Sequence, residues 1–120
     1  MALVSCYKGS TCLSDSVFIP KTFWQRTKGL LGKSGLEGNQ FYLFYNCSSV
    51  HMFGMKFSID LVYLNDQFEI VKLVHSFAPW GMSFCFKAAH VIEMKAGLIE
   101  LHGFAIGEKL SLKESINEVC

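Results

Sequence analysis

Cys47-Ser48-Ser49-Val50-His51-Met52-Phe53-Gly54-Met55-Lys56-Phe57-Ser58-Ile59-Asp60-Leu61-Val62-Tyr63-Leu64 is the stretch whose reading decides the fold. Its second half is β-branched, aromatic and apolar, the composition of a buried strand. Set into the run are a thiol, an imidazole, two thioethers and a carboxylate. Polar groups in such a segment need partners, because burying them unpaired costs a few kcal/mol each. Phe57 to Leu64 and Phe68 to His75 flank Asn65-Asp66-Gln67, a turn triplet between two strand-like runs. That pattern predicts a β-hairpin.

Working outward toward the C-terminus, Ser83 to Lys87 and Ala88 to Met94 read as strands, with Ser76 to Met82 as a loop around Pro79-Trp80-Gly81. Lys95-Ala96-Gly97 reads as a turn, and Leu98 to His102 as one helical turn between Gly97 and Gly103. Glu108 to Lys113 is expected to close the sheet, with the last seven residues fraying. Toward the N-terminus, Val50 to Met55 is a short strand broken at Gly54. Phe41 to Cys47 is almost wholly apolar, as in a strand covered on both faces. Lys33 to Gln40 is a loop. Thr22-Phe23-Trp24-Gln25 has the spacing of a capping box and predicts a helix from Phe23 to Leu31. Leu3 to Lys8, closed by Gly9-Ser10-Thr11, and Ser16 to Ile19, closed by Pro20, complete the strands. Short, closely spaced strands with one early helix and no βαβ alternation predict a mainly β (α+β) class. The expected architecture is a compact antiparallel β sandwich or small barrel, with one helix near the N-terminus.

The 120 residues make one domain, 1–120, and 51% of them are hydrophobic, which excludes disorder as the main state. The apolar surplus predicts that part of the surface is covered by a partner or by a second copy, as in a homodimer. Eleven basic and ten acidic side chains give a formal charge of +1 with no basic run, so no nucleic-acid footprint is visible. Five cysteines without clustered spacing read as free thiols rather than a disulfide framework. Met1 to Cys6 has neither a basic n-region nor an apolar h-region, and no apolar stretch approaches the roughly 18 residues of a membrane span. A cytoplasmic location is expected.

Cys47, His51 and Met55 fall four apart, on one face of a regular strand. Thiolate, imidazole and thioether suit copper(I) or zinc, yet no second Cys/His pair has ligand spacing. The same Cys47 and His51 could serve as nucleophile and base if the thiol were activated. The plainer reading makes Cys47 a small core hydrophobe and His51 a strand-end residue, and no metal or cofactor is expected. Asp60 and Glu93 each sit in apolar surroundings, so a cation or backbone amides should meet them; Arg26 and Lys56 are candidates for Asp60. Trp80 is either a stacking platform for a ligand or an anchor pinning its loop to the core. No Gly-x-Ser-x-Gly, His-Glu-x-x-His or phosphate loop occurs.

Arg26-Thr27-Lys28-Gly29-Leu30-Leu31-Gly32-Lys33 resembles the Arg-x-x-Gly-Leu-Met/Leu-Gly-Arg opening of the small prokaryotic family called domain of unknown function 192. Ser49 to Asp60 resembles its central motif ending in Ile-Asp or Leu-Asp. Val91-Ile92-Glu93-Met94-Lys95-Ala96-Gly97 resembles its Val-Leu-Glu-Leu-Pro-Ala-Gly, and Gly107-Glu108 its closing Gly-Asp. The likeness spans about 18–113 in order. Ser58 and Lys95 stand where the family usually has proline, and Met52 where its most similar subgroup has threonine. The resemblance implies a compact, mainly β domain and no particular reaction. It singles out Arg26, Gly29, His51, Met55, Asp60, Glu93 and Gly97, with Arg26, Asp60 and Glu93 as one ionic cluster. The functional expectation is a non-enzymatic ligand- or partner-binding module, its partner a protein or small molecule met by a face bearing His51, Asp60 and Trp80. The alternative is a thiol- or metal-dependent enzyme centred on Cys47 and His51. A third reading leaves the motif with only the fold to specify.

Overall fold

The computed structural model describes residues 2–20, 38–51 and 56–116. Among these residues, ten strands and one short helix follow one another: β1 (Ala2–Lys8), β2 (Thr11–Ser14), β3 (Ser16–Phe18), β4 (Gln40–Phe44), β5 (Ser49–His51), β6 (Ile59–Leu64), β7 (Ile70–Phe77), β8 (Met82–Phe84), β9 (His90–Lys95), α1 (Leu98–His102) and β10 (Ser111–Ile116). They form a five-stranded sheet in the order β3-β4-β9-β6-β7, a three-stranded sheet β10-β1-β2, and a ribbon β5-β8.

The central strands are apolar end to end because both their faces are covered. On β6, Val62 and Leu64 join one core with Cys6, Leu13, Phe41, Leu43, Ile92, Met94, Leu98 and Ile99, drawn from β1, β2, β4, β9 and α1. Ile59, Leu61 and Tyr63 join a second core with Tyr42, Phe44, Val91 and Val50 of the ribbon. The alternation of a pleated strand thus sends successive residues into two different cores. Burial in the first core pushes the Cys6 thiol up to about 12, with Cys12 nearby adding to the rise. Cys6 there acts as a small hydrophobe.

The expected hairpin is β6–β7, paired antiparallel from Ile59 opposite Phe77 to Leu64 opposite Ile70. Asn65 Oδ1 accepts the Gln67 and Glu69 amides at 2.9 Å, so the side chain organises the turn in place of a glycine. Leu98 to His102 is helical, as its flanking glycines suggest; Gly97 has φ 100° and serves as N-cap. At its other end Phe104 N–H donates to the Ile99 carbonyl at 3.1 Å.

Four expectations are corrected. The large sheet is open, bounded by β3 and β7, and no barrel closes among the described residues. The pairing is not wholly antiparallel: β3 and β4 run parallel. The helix observed lies near the C-terminal end, while the helix expected over Phe23–Leu31 falls outside the described residues. The closing strand reaches Ile116 instead of fraying after Lys113, because β1 supplies a full-length partner, Ala2 opposite Ile116 through Tyr7 opposite Ser111.

Candidate functional site

Asp60 is completely buried, and backbone amides rather than a described cation meet it. Ile59 opposes Phe77 and Leu61 opposes Val74, so Asp60 alone faces His75 and Ser76, a β-bulge in β7. The bulge turns the Ser76 N–H, at φ 48°, toward Asp60 Oδ1, which accepts it at 2.8 Å. Oδ2 accepts the Gly97 and Ile99 amides at 2.9 and 3.0 Å. These are unsatisfied N–H groups at the start of α1, and a carboxylate from another strand caps them. Asp60 is therefore a bracket joining β6, β7 and α1.

Glu93, 7% exposed, is set differently. It pairs with Tyr42 on one side and Leu61 on the other, both in the second core, whereas Asp60 pairs with Met94 in the first. The two carboxylates point to opposite faces of the sheet, and the structure does not bring them into one cluster. Arg26 and Met55 lie outside the described residues.

The second core contains the chemistry-bearing group the sequence left scattered. Tyr63 Oη donates to or accepts from Ser83 Oγ of β8 at 3.0 Å. Burial raises the Tyr63 pKa; the Ser83 bond counters this, and the nearby Cys47, Cys85 and Glu93 add to the rise. Cys47 sits just before β5, packed against this core, and its thiol donates to the Ser49 carbonyl at 3.0 Å. On β5 the burial alternates, Ser49 and His51 exposed and Val50 buried. Cys47 thus packs against the second core, while His51 is exposed on β5. Among the described residues no group of three or more His, Cys, Asp or Glu is placed to hold a metal ion.

Outside the ribbon the surface is apolar. Ser83 and Cys85 point inward, so Met82, Phe84 and Phe86 point out, 66%, 58% and 91% exposed. Phe84 and Phe86 touch edge to face, ring centroids 5.1 Å apart. Trp80, 65% exposed, extends the series through the Ala78–Gly81 turn. Gly81 N–H donates to the Ala78 carbonyl at 3.2 Å, with Pro79 second in the turn and Trp80 third at φ 67°. A type II turn wants glycine or asparagine at that third position; a tryptophan there costs of order 1–3 kcal/mol. Gly81 cannot relieve it by exchange, since a Cβ there would lie 2.9 Å from the Phe77 ring. Met82 pairs with His51 and Phe84 with Ser49, so the imidazole borders this stripe.

Of the residues singled out in the sequence, His51 and Trp80 thus belong to the outward face of the ribbon, Cys47 and Glu93 to the core beneath it, and Asp60 to the opposite side of the sheet. Met82, Phe84 and Phe86 were missed. Their signal was the alternation of large apolar residues with Gly81, Ser83 and Cys85, which does not say which set faces out.

The model of the family domain of unknown function 192, described as "Uncharacterized ACR", matches residues 7–112. A protein of unknown function from Novosphingobium aromaticivorans has a similar fold, with a TM-score of 0.76 at 16% identity, over 91% of this chain and 83% of that one. So does a protein from Sinorhizobium meliloti described as a "putative transcription regulator", with a TM-score of 0.75 at 18% identity, over 92% and 93% of the two chains. No curated protein matches the chain.

Proposed function

We propose, from the premise that this chain belongs to the domain of unknown function 192 family, that it is a non-enzymatic docking module whose partner is met by the outward face of the β5–β8 ribbon. One observation carries the reading: Trp80, Met82, Phe84 and Phe86 all stand more than half exposed within seven residues that span one strand and its flanking turns. Contiguous exposed apolar residues are unfavourable unless something covers them. The strained Trp80 turn supports the same reading, because backbone strain clusters where a side chain must be presented. Asp60, holding three amides, leaves the proposed face and keeps a structural role. The enzyme alternative has less behind it, since the Cys47 thiol packs against the core and donates to the Ser49 carbonyl while His51 is exposed.

The test is photo-crosslinking in cells from a benzoylphenylalanine at position 86, with position 101 on α1 as control. The reading expects an adduct from position 86 that Trp80→Ser with Phe84→Ser removes. Equal adducts from both positions, or none from position 86, would overturn it.

A further inference from the structure

Resting on that docking reading, we infer that the partner of the ribbon is an anionic lipid surface, onto which the stripe from Trp80 to Phe86 adsorbs. Three features of the molecule converge on this occupant. The first is shape. Side chains 58–91% exposed stand proud of the strand instead of lining a groove. Protruding aromatic and thioether groups insert into a soft medium; a peptide ligand would need a cleft between them.

The second is side-chain type. Tryptophan and phenylalanine gain at the boundary between headgroups and acyl chains, where an apolar body meets a wet edge. Trp80 at the turn and Phe86 at the far end bracket the stripe, and both anchors can enter the interface together.

The third is charge. From Ile70 to Val91 the chain carries Lys72, His75, Lys87 and His90, and no Asp or Glu. Lys72 Nζ donates to the Phe84 carbonyl at 3.0 Å, which fixes an ammonium at the edge of the stripe. Lys87 follows Phe86 directly and is exposed. The carboxylates next in sequence are Glu69, which accepts from Asn65 Nδ2 at 2.9 Å in the β6–β7 hairpin, and Glu93, buried beneath the ribbon at 7% exposure. This pattern also decides against a second copy as occupant. An isologous contact would set this cationic patch against the same patch of a second copy, with no Asp or Glu between Ile70 and Val91 to answer it. An anionic bilayer answers both lysines at once, each contributing by its proximity to the negative surface.

The experiment is co-sedimentation of the full chain with phosphatidylcholine vesicles and with vesicles also containing phosphatidylglycerol. Binding is expected only to the second kind and is expected to weaken as salt is raised. Phe86→Ser should weaken it about tenfold through lost apolar insertion, and Lys87→Gln roughly fivefold. Both side chains are exposed, so neither change disturbs the fold. In a Trp24→Phe background, Trp80 emission should be quenched by brominated lipid. Absence of binding to phosphatidylglycerol vesicles, equal binding to both kinds, or binding indifferent to Phe86→Ser and Lys87→Gln would overturn the inference. If vesicle binding is absent while position 86 still crosslinks to a protein, the docking reading survives and the lipid surface falls. A wild-type dimer converted to monomer by Phe86→Ser would assign the face to a second copy instead. Neither vesicle binding nor a stripe-dependent adduct would remove both.

Discussion

The two faces of the five-stranded sheet are closed in different ways. One is covered by the three-stranded sheet and α1, and Asp60 ties it shut by holding amides from β7 and from the start of α1. Among the described residues, the other is covered by two strands of three residues each. There the cover is joined to the sheet by the Tyr63–Ser83 bond and by Cys47 N–H donating to the Ala89 carbonyl at 2.9 Å. The first face spends a buried carboxylate on architecture. The second has a thin cover, small and polar inside and apolar outside, so its composition is turned toward whatever lies beyond the protein. A layer that contributes little to the core can be selected for its outer surface, and low-stability elements are where binding surfaces are commonly found.

Four measurements would break or sharpen this contrast. Asp60→Ala should have the largest effect: it orphans three amides at once, and urea unfolding should show a loss of about 4 kcal/mol. A loss below that of Tyr63→Phe would erase the distinction between the faces. Tyr63→Phe removes one hydroxyl bond to the ribbon and should cost about 1 kcal/mol, with amide exchange accelerating in β5 and β8 before it does in β9. At the end of β9, His90 Nδ1 accepts the Asn46 N–H at 3.1 Å, which requires the neutral ring. Burial lowers the His90 pKa from 6.5, partly offset by Asp66. A depressed histidine pKa gives stability that is complete above 6.5 and lost as pH falls through the folded value. Wild type should therefore lose stability below about pH 6.5, and His90→Gln should flatten that part of the profile. Phe86→Ser should be the smallest, within about 0.5 kcal/mol in thermal or urea unfolding; a larger loss would make the stripe a structural layer.

The hairpin at Asn65, the turn of helix between two glycines and the double-sided burial of Phe41 to Phe44 were legible, because each is set by local chemistry or by a hydropathy period; the strand expected to run on to Cys47 ends at Phe44, and Tyr45 and Asn46 are exposed. β2 was not. Gly9-Ser10 reads equally as the end of a strand or as the turn of a hairpin, and it is the turn: Lys8 pairs with Thr11. The parallel partnership of β3 and β4 was hidden because nothing in three residues records strand direction. For Asp60 the sequence supplied the need for partners and offered amides as one answer, but which amides depends on the bulge at Ser76 and on a turn 37 residues away. Asp60 and Glu93 looked equivalent for a related reason: which face a residue takes depends on register between strands distant in sequence. The ribbon misled in the opposite sense. Large apolar residues are assigned inward by default, and in β8 and just beyond it the inward places went to Ser83 and Cys85.

The pairing of β1 with β10 has a consequence for synthesis. β1 leaves the ribosome ahead of the other described strands, yet one of its two partners is complete only when Ile116 has been made. At about 5–20 residues per second, that partner arrives roughly 5–20 s after β1. Until then Ala2 to Lys8 has only β2 beside it, and the edge that will receive β10 stands open. The nascent chain carries an unfinished edge throughout elongation, and a holdase that shields the N-terminal hairpin during that interval should raise the yield of folded protein more than one acting after release.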